Sequence, residues 1–478
     1  MDADLVTHPS HDDPVVEALS EGVGGPLGTR SAGHRWWTPV RVVLALTAVC
    51  IALGMVQKAG CYEETWSDDR RYTQMCYSDL PYLYTGRGMV EAQWPFSGDE
   101  QVRARYDVME YPVGISYVAY GLAKVTHVLT GSPDVEARQR VSSSSLFGQP
   151  EVQREIRAFV IVHALLFAAL ALLSAWLLAG VNRGRPWDAA LFALSPALAL
   201  TFLVNWDMLA VVLVAGALWS WARGRPLLTG VLIGLGTATK LYPLLLLGGL
   251  VVICVRERRW RELTGVVLAG TATWLVANAP AYLTGREQWE VFWTFNSERV
   301  ADLGSAWLVV SQATDHAFSA HTINLWSYAI LGVWCAGVAL LGLRAPTTPR
   351  FAQLAFLVVA GFLLVNKVYS PQYVLWLLPL AVLARPRWRD QLVWQAGEVL
   401  YFASVWWYLD GDLTAAGGED AAFYWLAIAV RISAELYLCV MVVRDIWWPR
   451  EDPVHATALA GLGPPGQVSS TRSNVVAV

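Results

Sequence analysis

Long apolar runs, separated by short charged or Pro-containing turns, recur from residue 39 to residue 443. They predict membrane spans at about 39–57, 157–181, 188–203, 207–222, 227–239, 241–255, 262–282, 322–343, 351–366, 371–384, 391–408 and 421–443. Several fall short of the ~20 residues a perpendicular helix needs, so their ends are soft. One further apolar segment, 113–129, decides the topology.

The distribution of Arg settles where that segment belongs. Arg-rich turns hold Arg183/Arg185, Arg223/Arg225, Arg256/Arg258/Arg259/Arg261, Arg344/Arg350, Arg385/Arg387/Arg389 and Arg444/Arg450. Short loops rich in Lys and Arg stay in the cytoplasm. Arg30, Arg35 and Arg41 place the N-terminus there as well. Only one span can then lie between residues 57 and 182, and 157–181 is the longer and cleaner candidate. Segment 113–129, which contains Lys124 and His127, reads as a helix in the outer interface. The expected fold is an all-α polytopic bundle of about 12 transmembrane helices, with both termini cytoplasmic. Residues 58–156 form a long first extracytoplasmic loop with interfacial helices, inside a transmembrane domain over 39–448. Residues 1–38 and 449–478 are polar or lack hydrophobic periodicity and read as disordered cytoplasmic tails. The first of them lacks the layout of a cleaved signal peptide.

Composition agrees with a plasma-membrane protein. Only 15% of the 478 residues are charged, against about 25% in soluble proteins. Many of the 24 Trp sit near span ends, where an amphipathic ring prefers the headgroup zone. A net charge of -4 shows no nucleic-acid footprint. Lysine is scarce: Lys58, Lys124, Lys240 and Lys367 are the four among 35 basic residues, a bias like that of high-GC actinobacterial sequences.

The inner turns are generic, whereas the outer connections carry carboxylates, amides, His and two of the lysines. Chemistry is therefore expected on the extracytoplasmic face. Cys61 and Cys76 fall in an oxidising compartment, where they either bridge or remain two thiols. Asp79 opens a Tyr-rich stretch with Tyr82 and Tyr84. It can serve as a general base toward a sugar hydroxyl, with the rings as platforms, or it can simply cap the helix that Leu80-Pro81 begins. Glu110 and Tyr111 either line a site or start the interfacial helix. Lys240 and Lys367 stand at outer span ends in Pro- and Tyr-containing breaks. An ammonium at that depth needs a partner, such as a lipid phosphate, unless its stem snorkels to the interface. Tyr369, Gln372 and Tyr373 can line the same pocket. Asn205 is a candidate acceptor contact, and Asp207 either orients an acceptor hydroxyl or caps the next helix.

These pieces come in an order that resembles a known family. An early Asp in the long first outer loop is followed by Trp94-Pro95-Phe96 and Glu110-Tyr111-Pro112. Asn205-Trp206-Asp207, Thr239-Lys240-Leu241-Tyr242-Pro243 and Lys367-Val368-Tyr369-Ser370-Pro371-Gln372-Tyr373 come next, the last followed by Trp376-Leu377-Leu378-Pro379. Over residues 40–445 the chain resembles the GT-C superfamily of lipid-linked-sugar glycosyltransferases. Within it the likeness is to glycosyltransferase family 87, the polyprenyl-phosphate-mannose-dependent α-mannosyltransferases of actinobacteria. The chain departs from many relatives in having Tyr111-Pro112-Val113 where they show Tyr-Pro-Pro.

The resemblance implies that Asp79 is the catalytic base and that mannose moves from a polyprenyl-phosphate donor to an envelope glycan or glycolipid acceptor, with inversion. It implies no cofactor beyond that lipid-linked substrate. Arabinose on the same carrier is the alternative within the class, and a 12-helix secondary transporter is the alternative outside it. No metal site is expected: Asp315, His316 and His321 fit no zinc spacing, and Asp410-Gly411-Asp412 is a loop near a turn. No Gly-rich nucleotide loop follows a strand.

Overall fold

The computed structural model describes residues 13–23, 36–182, 184–413 and 421–455. Arg30, Arg35 and Arg183, the end of the expected 409–420 connection and most of both expected tails lie outside the described residues. Among the described residues the fold is helical, without strands.

Two parts of the expected tails are ordered. Helix α1 (Pro14–Val23) follows Asp13, whose buried carboxylate accepts from Trp388 N at 3.1 Å and caps Val15 N at 3.0 Å. At the other end, Asp452 accepts from Arg350 Nε at 3.0 Å and Nη2 at 2.9 Å. The expectation of unstructured ends is corrected there: buried carboxylates hold both segments onto the Arg-rich turns, Asp13 through the Trp388 backbone N–H and Asp452 through Arg350.

Helix α2 (Pro39–Gln57) starts where Thr38 Oγ1 accepts from Arg41 N, with Pro39 in the first turn, where its missing N–H costs nothing. Short helices fill the following loop, of which α3 (Leu80–Gly86) and α4 (Val113–Thr130) shape the site. Helix α5 (Pro150–Ala179) runs 30 residues. At ~1.5 Å per residue it is longer than a ~30 Å hydrocarbon layer, so its polar start, Pro150–Arg157, stands clear of the apolar part.

The expected 188–203 span is not one rod. A 3-10 turn (Pro186–Ala189) and a helical turn (Ala190–Ala193) end at Leu194, and a new helix starts at Pro196. Pro196 lacks the N–H that would continue the ladder. Ser195 covers the break: its Oγ accepts from Leu198 N at 3.2 Å and donates to Gln395 Oε1 at 2.7 Å.

Then follow α6 (Asp207–Ala222), α7 (Pro226–Thr239), α8 (Leu246–Glu257), α9 (Trp260–Thr284), α10 (Arg286–Glu298), α11 (Ala320–Arg344), α12 (Phe351–Val365), α13 (Val374–Ala384), α14 (Trp388–Asp410) and α15 (Ala421–Trp447). Among the described residues, five helices are long and apolar enough to cross a membrane: α2, α5, α9, α11 and α15. Helices α6, α7, α12 and α13 are apolar but shorter. The packed pairs include α5 with α6, α6 with α7, α7 with α9, and α14 with α15. Helices α12 and α13 form the core, whereas the apolar windows of α9 and α11 are only 17% and 11% buried. An apolar surface left facing outward is what lipid contact requires.

Helix α4 packs Ile115, Ala119 and Ala123 inward and leaves Val125, Val128 and Leu129 exposed. Its first turn is set tightly: a Cβ on Gly114 would meet Thr239 Cγ2 at 2.9 Å and Ala238 O at 3.0 Å. Only glycine allows that approach, which brings Tyr111 and Pro112 beside Lys240.

Candidate active site

The loop bearing Asp79 is anchored on both sides. A disulfide joins Cys61 and Cys76, and Trp66 Nε1 donates to Cys76 O at 3.0 Å. Two residues on, Ser78 Oγ donates to Leu203 O at 2.7 Å and Asp79 N to Val204 O at 2.8 Å. These bonds tie the end of the first-loop crosslink to the turn that carries Asn205.

Asp79 occupies the N-cap position of α3, but its side chain makes no capping bond. The carboxylate turns away into a cavity of about 850 Å³. There Oδ2 accepts from Asn205 Nδ2 at 2.5 Å and from the Tyr111 hydroxyl at 3.4 Å. Asn205 Nδ2 also reaches the Tyr111 oxygen at 2.7 Å, and its Oδ1 accepts from Trp206 N, which fixes the amide. Enclosure by the cavity walls raises the Asp79 pKa above the ordinary carboxylate value. Hydrogen bonds from Tyr77 and Asn205 and the charge of Lys240 hold it back. A half-buried carboxylate with a raised pKa and a free face suits a general base.

Lys240 follows the last residue of α7, with its Nζ 3.4 Å from Asp207 Oδ1 and over the ring of Tyr111 at 4.9 Å. Asp207 Oδ1 also accepts from Trp376 Nε1 at 2.6 Å. The lysine therefore has a protein counter-charge, and snorkelling does not describe it. Lys367 lies in another part of the wall, donating to Asn324 Oδ1 at 2.7 Å and Ser297 O at 3.3 Å. Burial, then the nearby Arg299 charge, lowers its pKa. Arg299 itself pairs with Asp302 at 2.5 Å.

Aromatic rings complete the wall. Trp376 is stacked between Tyr373 at 4.0 Å and Tyr242 at 4.6 Å. Phe292, Phe295, Tyr328, Leu331 and Phe362 also line the cavity; the Arg299 guanidinium lies over the Phe295 ring at 5.5 Å, and Phe295 and Tyr328 are exposed. The chamber thus has both charged and apolar lining, with part of the apolar lining exposed.

Of the residues singled out from sequence, Asp79, Glu110, Tyr111, Asn205, Lys240, Lys367, Gln372 and Tyr373 line this one cavity. Glu110 is held by Arg87 at 2.9 Å. The other four stand elsewhere. Tyr84 is fully buried, donating to Glu155 Oε2 at 2.7 Å with His127 beside it. Tyr82 donates to Trp66 O at 2.8 Å and stacks on Tyr77 and Phe147. Tyr369 is buried with its hydroxyl on Glu398, and Asp207 stands behind Lys240 and Trp376. None of these four is among the residues that line the cavity.

Two further residues line the cavity: Arg299, in the Asn296–Arg299 run that reads from sequence as a polar wall near a substrate, and Asn324, which was not among the sequence candidates. Nothing local to residue 324 signals its part: it sits in the first turns of an apolar helix, and only its bond to Lys367 shows its place. Among the described residues no group of three or more His, Cys, Asp and Glu could hold a metal ion.

The cavity thus brings a carboxylate, cations and stacked rings together among apolar helices. Residues 150–366 match the model of glycosyltransferase family 87, as the motif order implied, and the match indicates a glycosyltransferase. No curated protein matches the chain. The matched stretch carries Asn205, Lys240, Arg299 and Asn324, while Asp79, Tyr111 and Lys367–Tyr373 fall outside it.

Proposed function

We propose that this protein transfers a sugar, mannose in the first instance, from a polyprenyl-phosphate carrier to a hydroxyl of an envelope glycan or glycolipid on the extracytoplasmic face. The observation that carries the reading is that the uncapped Asp79 carboxylate shares one cavity with Lys240, Lys367 and Arg299. A base for the acceptor and cations for a phosphate leaving group are what such a transfer needs. The exposed apolar lining, Phe295 and Tyr328, suits the prenyl chain.

Asp79 takes the acceptor O–H proton while the acceptor oxygen bonds to the anomeric carbon. The bond from that carbon to the phosphate oxygen breaks, and the polyprenyl phosphate leaves as an anion facing Lys367 and Arg299. One displacement inverts the anomeric centre, so a β-linked donor gives an α-linked product. Tyr111 and Asn205 hold the carboxylate in line. Gln372 and Tyr373 contact the donor, and Glu110 the acceptor.

In this reading the expected twelve segments all cross the bilayer, the short and broken ones shielded by their neighbours. Both termini are cytoplasmic. The disulfide supports an oxidising outer face for the first loop.

The test is to reconstitute the protein in lipid with radiolabelled polyprenyl-phosphate mannose and an envelope-lipid acceptor extract. Label is expected in a new glycan or glycolipid product that withstands mild acid, as an O-glycoside does and the glycosyl phosphate of the donor does not. Transfer from the arabinose donor alone would reassign the sugar. No transfer from either donor, with labelled lipid crossing the vesicle membrane instead, would point to transport.

A further inference from the structure

Deep in the bundle, away from the cavity, a guanidinium sits among carboxyls and phenols. Arg431 of α15 is 1% exposed and pairs with Glu435 at 2.9 Å, one helical turn on. Its planar head lies 3.7 Å from the centre of the Tyr369 ring, and its Nη2 donates to Gly304 O at 3.3 Å. Tyr369 in turn donates its hydroxyl to Glu398 of α14 at 2.9 and 3.0 Å, and Trp394 Nε1 donates to the same carboxyl at 3.1 Å. The Tyr401 hydroxyl bonds Tyr369 O at 2.5 Å, and the Tyr424 oxygen accepts from Gly304 N at 3.1 Å.

What these groups grip is two loops. Residues 299–305 carry Arg299, and residues 366–373 carry Lys367, Gln372 and Tyr373. The loops are stitched to each other by Asp302 N to Lys367 O at 2.8 Å and Tyr369 N to Leu303 O at 2.7 Å. At the centre of the grip, Gly304 adopts φ +69°, and a Cβ there would meet the Tyr401 hydroxyl at 2.1 Å and Tyr369 O at 2.5 Å. The glycine lets both loops close on the network.

Ionisable groups within membrane helices are costly and persist where they have a task. A buried pair of this kind is also poor evidence for stability, since well-packed apolar residues often serve as well. We infer that Arg431 is a positioning residue, which through Gly304 and Tyr369 holds the Arg299 and Lys367 loops in the single arrangement that presents both cations to the donor phosphate. The part about phosphate rests on the function proposed above; the locking of the two loops does not.

Arginine suits this task and lysine does not. The planar head stacks on Tyr369 while its separate N–H groups reach Glu435 and Gly304. An ammonium makes one of these contacts at a time.

The experiment uses the full chain in lipid nanodiscs, comparing wild type with Arg431→Lys and Tyr401→Phe. Tyr401→Phe removes only the hydroxyl and keeps the ring, so it remains informative if the arginine variant fails to fold. Hydrogen exchange of the Asp302 and Tyr369 amides is expected to rise together, by about ten-fold or more, in Arg431→Lys and in Tyr401→Phe, while residues 203–207 stay unchanged. In the transfer assay, KM for the polyprenyl-phosphate donor is expected to rise about ten-fold or more, with the acidic limb of the pH profile unmoved because Asp79 is untouched. Loosening of one loop alone, unchanged exchange in both, or an equal rise across the whole bundle would each overturn the inference. Joint loosening in a protein that transfers no sugar would retain the lock and reject the function it was thought to serve.

Discussion

At the scale of single residues, Asp79 is defined by what it does not do. Its position and the following Leu-Pro call for a helix cap, yet the side chain leaves the helix for Asn205 and Tyr111. Its pKa carries a sign that can be checked. The base works only when ionised, so transfer falls as pH drops through the raised Asp79 pKa. Tyr77 and Asn205 stabilise the ionised form by hydrogen bonding. Replacing Tyr77 with Phe is therefore expected to move the acidic limb of kcat/KM to higher pH, and Asn205→Ala should move it the same way. A pH–rate profile of each variant checks the direction. A limb that stays in place would assign it to another group.

The lysines divide at this scale too. Lys240 has Asp207 beside it, whereas Lys367 is held by the neutral Asn324 and a carbonyl. Lys367 thus keeps more of its charge available. Lys367→Met is expected to raise the donor KM about ten-fold or more, since charge-assisted bonds are worth roughly 1.5–3 kcal/mol. Steady-state kinetics with varied donor measures it.

Among elements, the first loop and α4 do the positioning. The Cys61–Cys76 crosslink closes 15 residues of chain immediately before Ser78 and Asp79. Its removal by paired Cys→Ala substitution should cost about 3 kcal/mol in the chain-entropy account, seen as a lower midpoint of thermal unfolding in detergent. Gly114 has a more local role. Gly114→Leu is expected to push α4 off Thr239, shifting Tyr111 and lowering kcat with little loss of helix content by circular dichroism. If kcat is unchanged, the close approach at Gly114 is not what aligns Tyr111.

Elements also show how much the sequence revealed. Apolar runs located the helices well, because burial in lipid or protein imposes a long hydrophobic stretch whichever neighbour covers it. The break at Ser195-Pro196 was written in the residues themselves but was masked by the apolar run around it. The candidate site was legible where a polar residue interrupts an apolar segment, as at Asn205, Lys240 and Lys367. Tyr82 and Tyr84 shared the loop and the chemistry of true wall residues. Which side of a short helix faces the cavity is set by tertiary packing, and for Tyr84 the Glu155 carboxyl of α5 decided it. Asn324 and Arg431 lay unseen because their roles depend on partners far along the chain, Lys367 and Gly304.

For the whole molecule, the proposed function requires the Arg-rich turns on one side of the membrane and the cavity on the other. Arg-rich turns gather at one end, and the disulfide, the cavity and the lysines gather with the other set of connections. Cysteines placed singly at Ser143 and at Arg258 report on this in intact cells. A membrane-impermeant maleimide is expected to label position 143 and to spare position 258 until the membrane is opened. Labelling of 258 from outside would invert the topology and remove the extracytoplasmic site.

The most direct measurement is sugar transfer by Asp79→Asn in reconstituted protein, alongside binding of polyprenyl phosphate to the same preparation. Asparagine keeps the size and can still pair with Asn205 or Tyr111, but it cannot take a proton. The expected result is a fall in kcat of about 10²–10⁴-fold with lipid-phosphate binding retained. Transfer at the wild-type rate by a folded, lipid-binding Asp79→Asn protein would show that another group is the base.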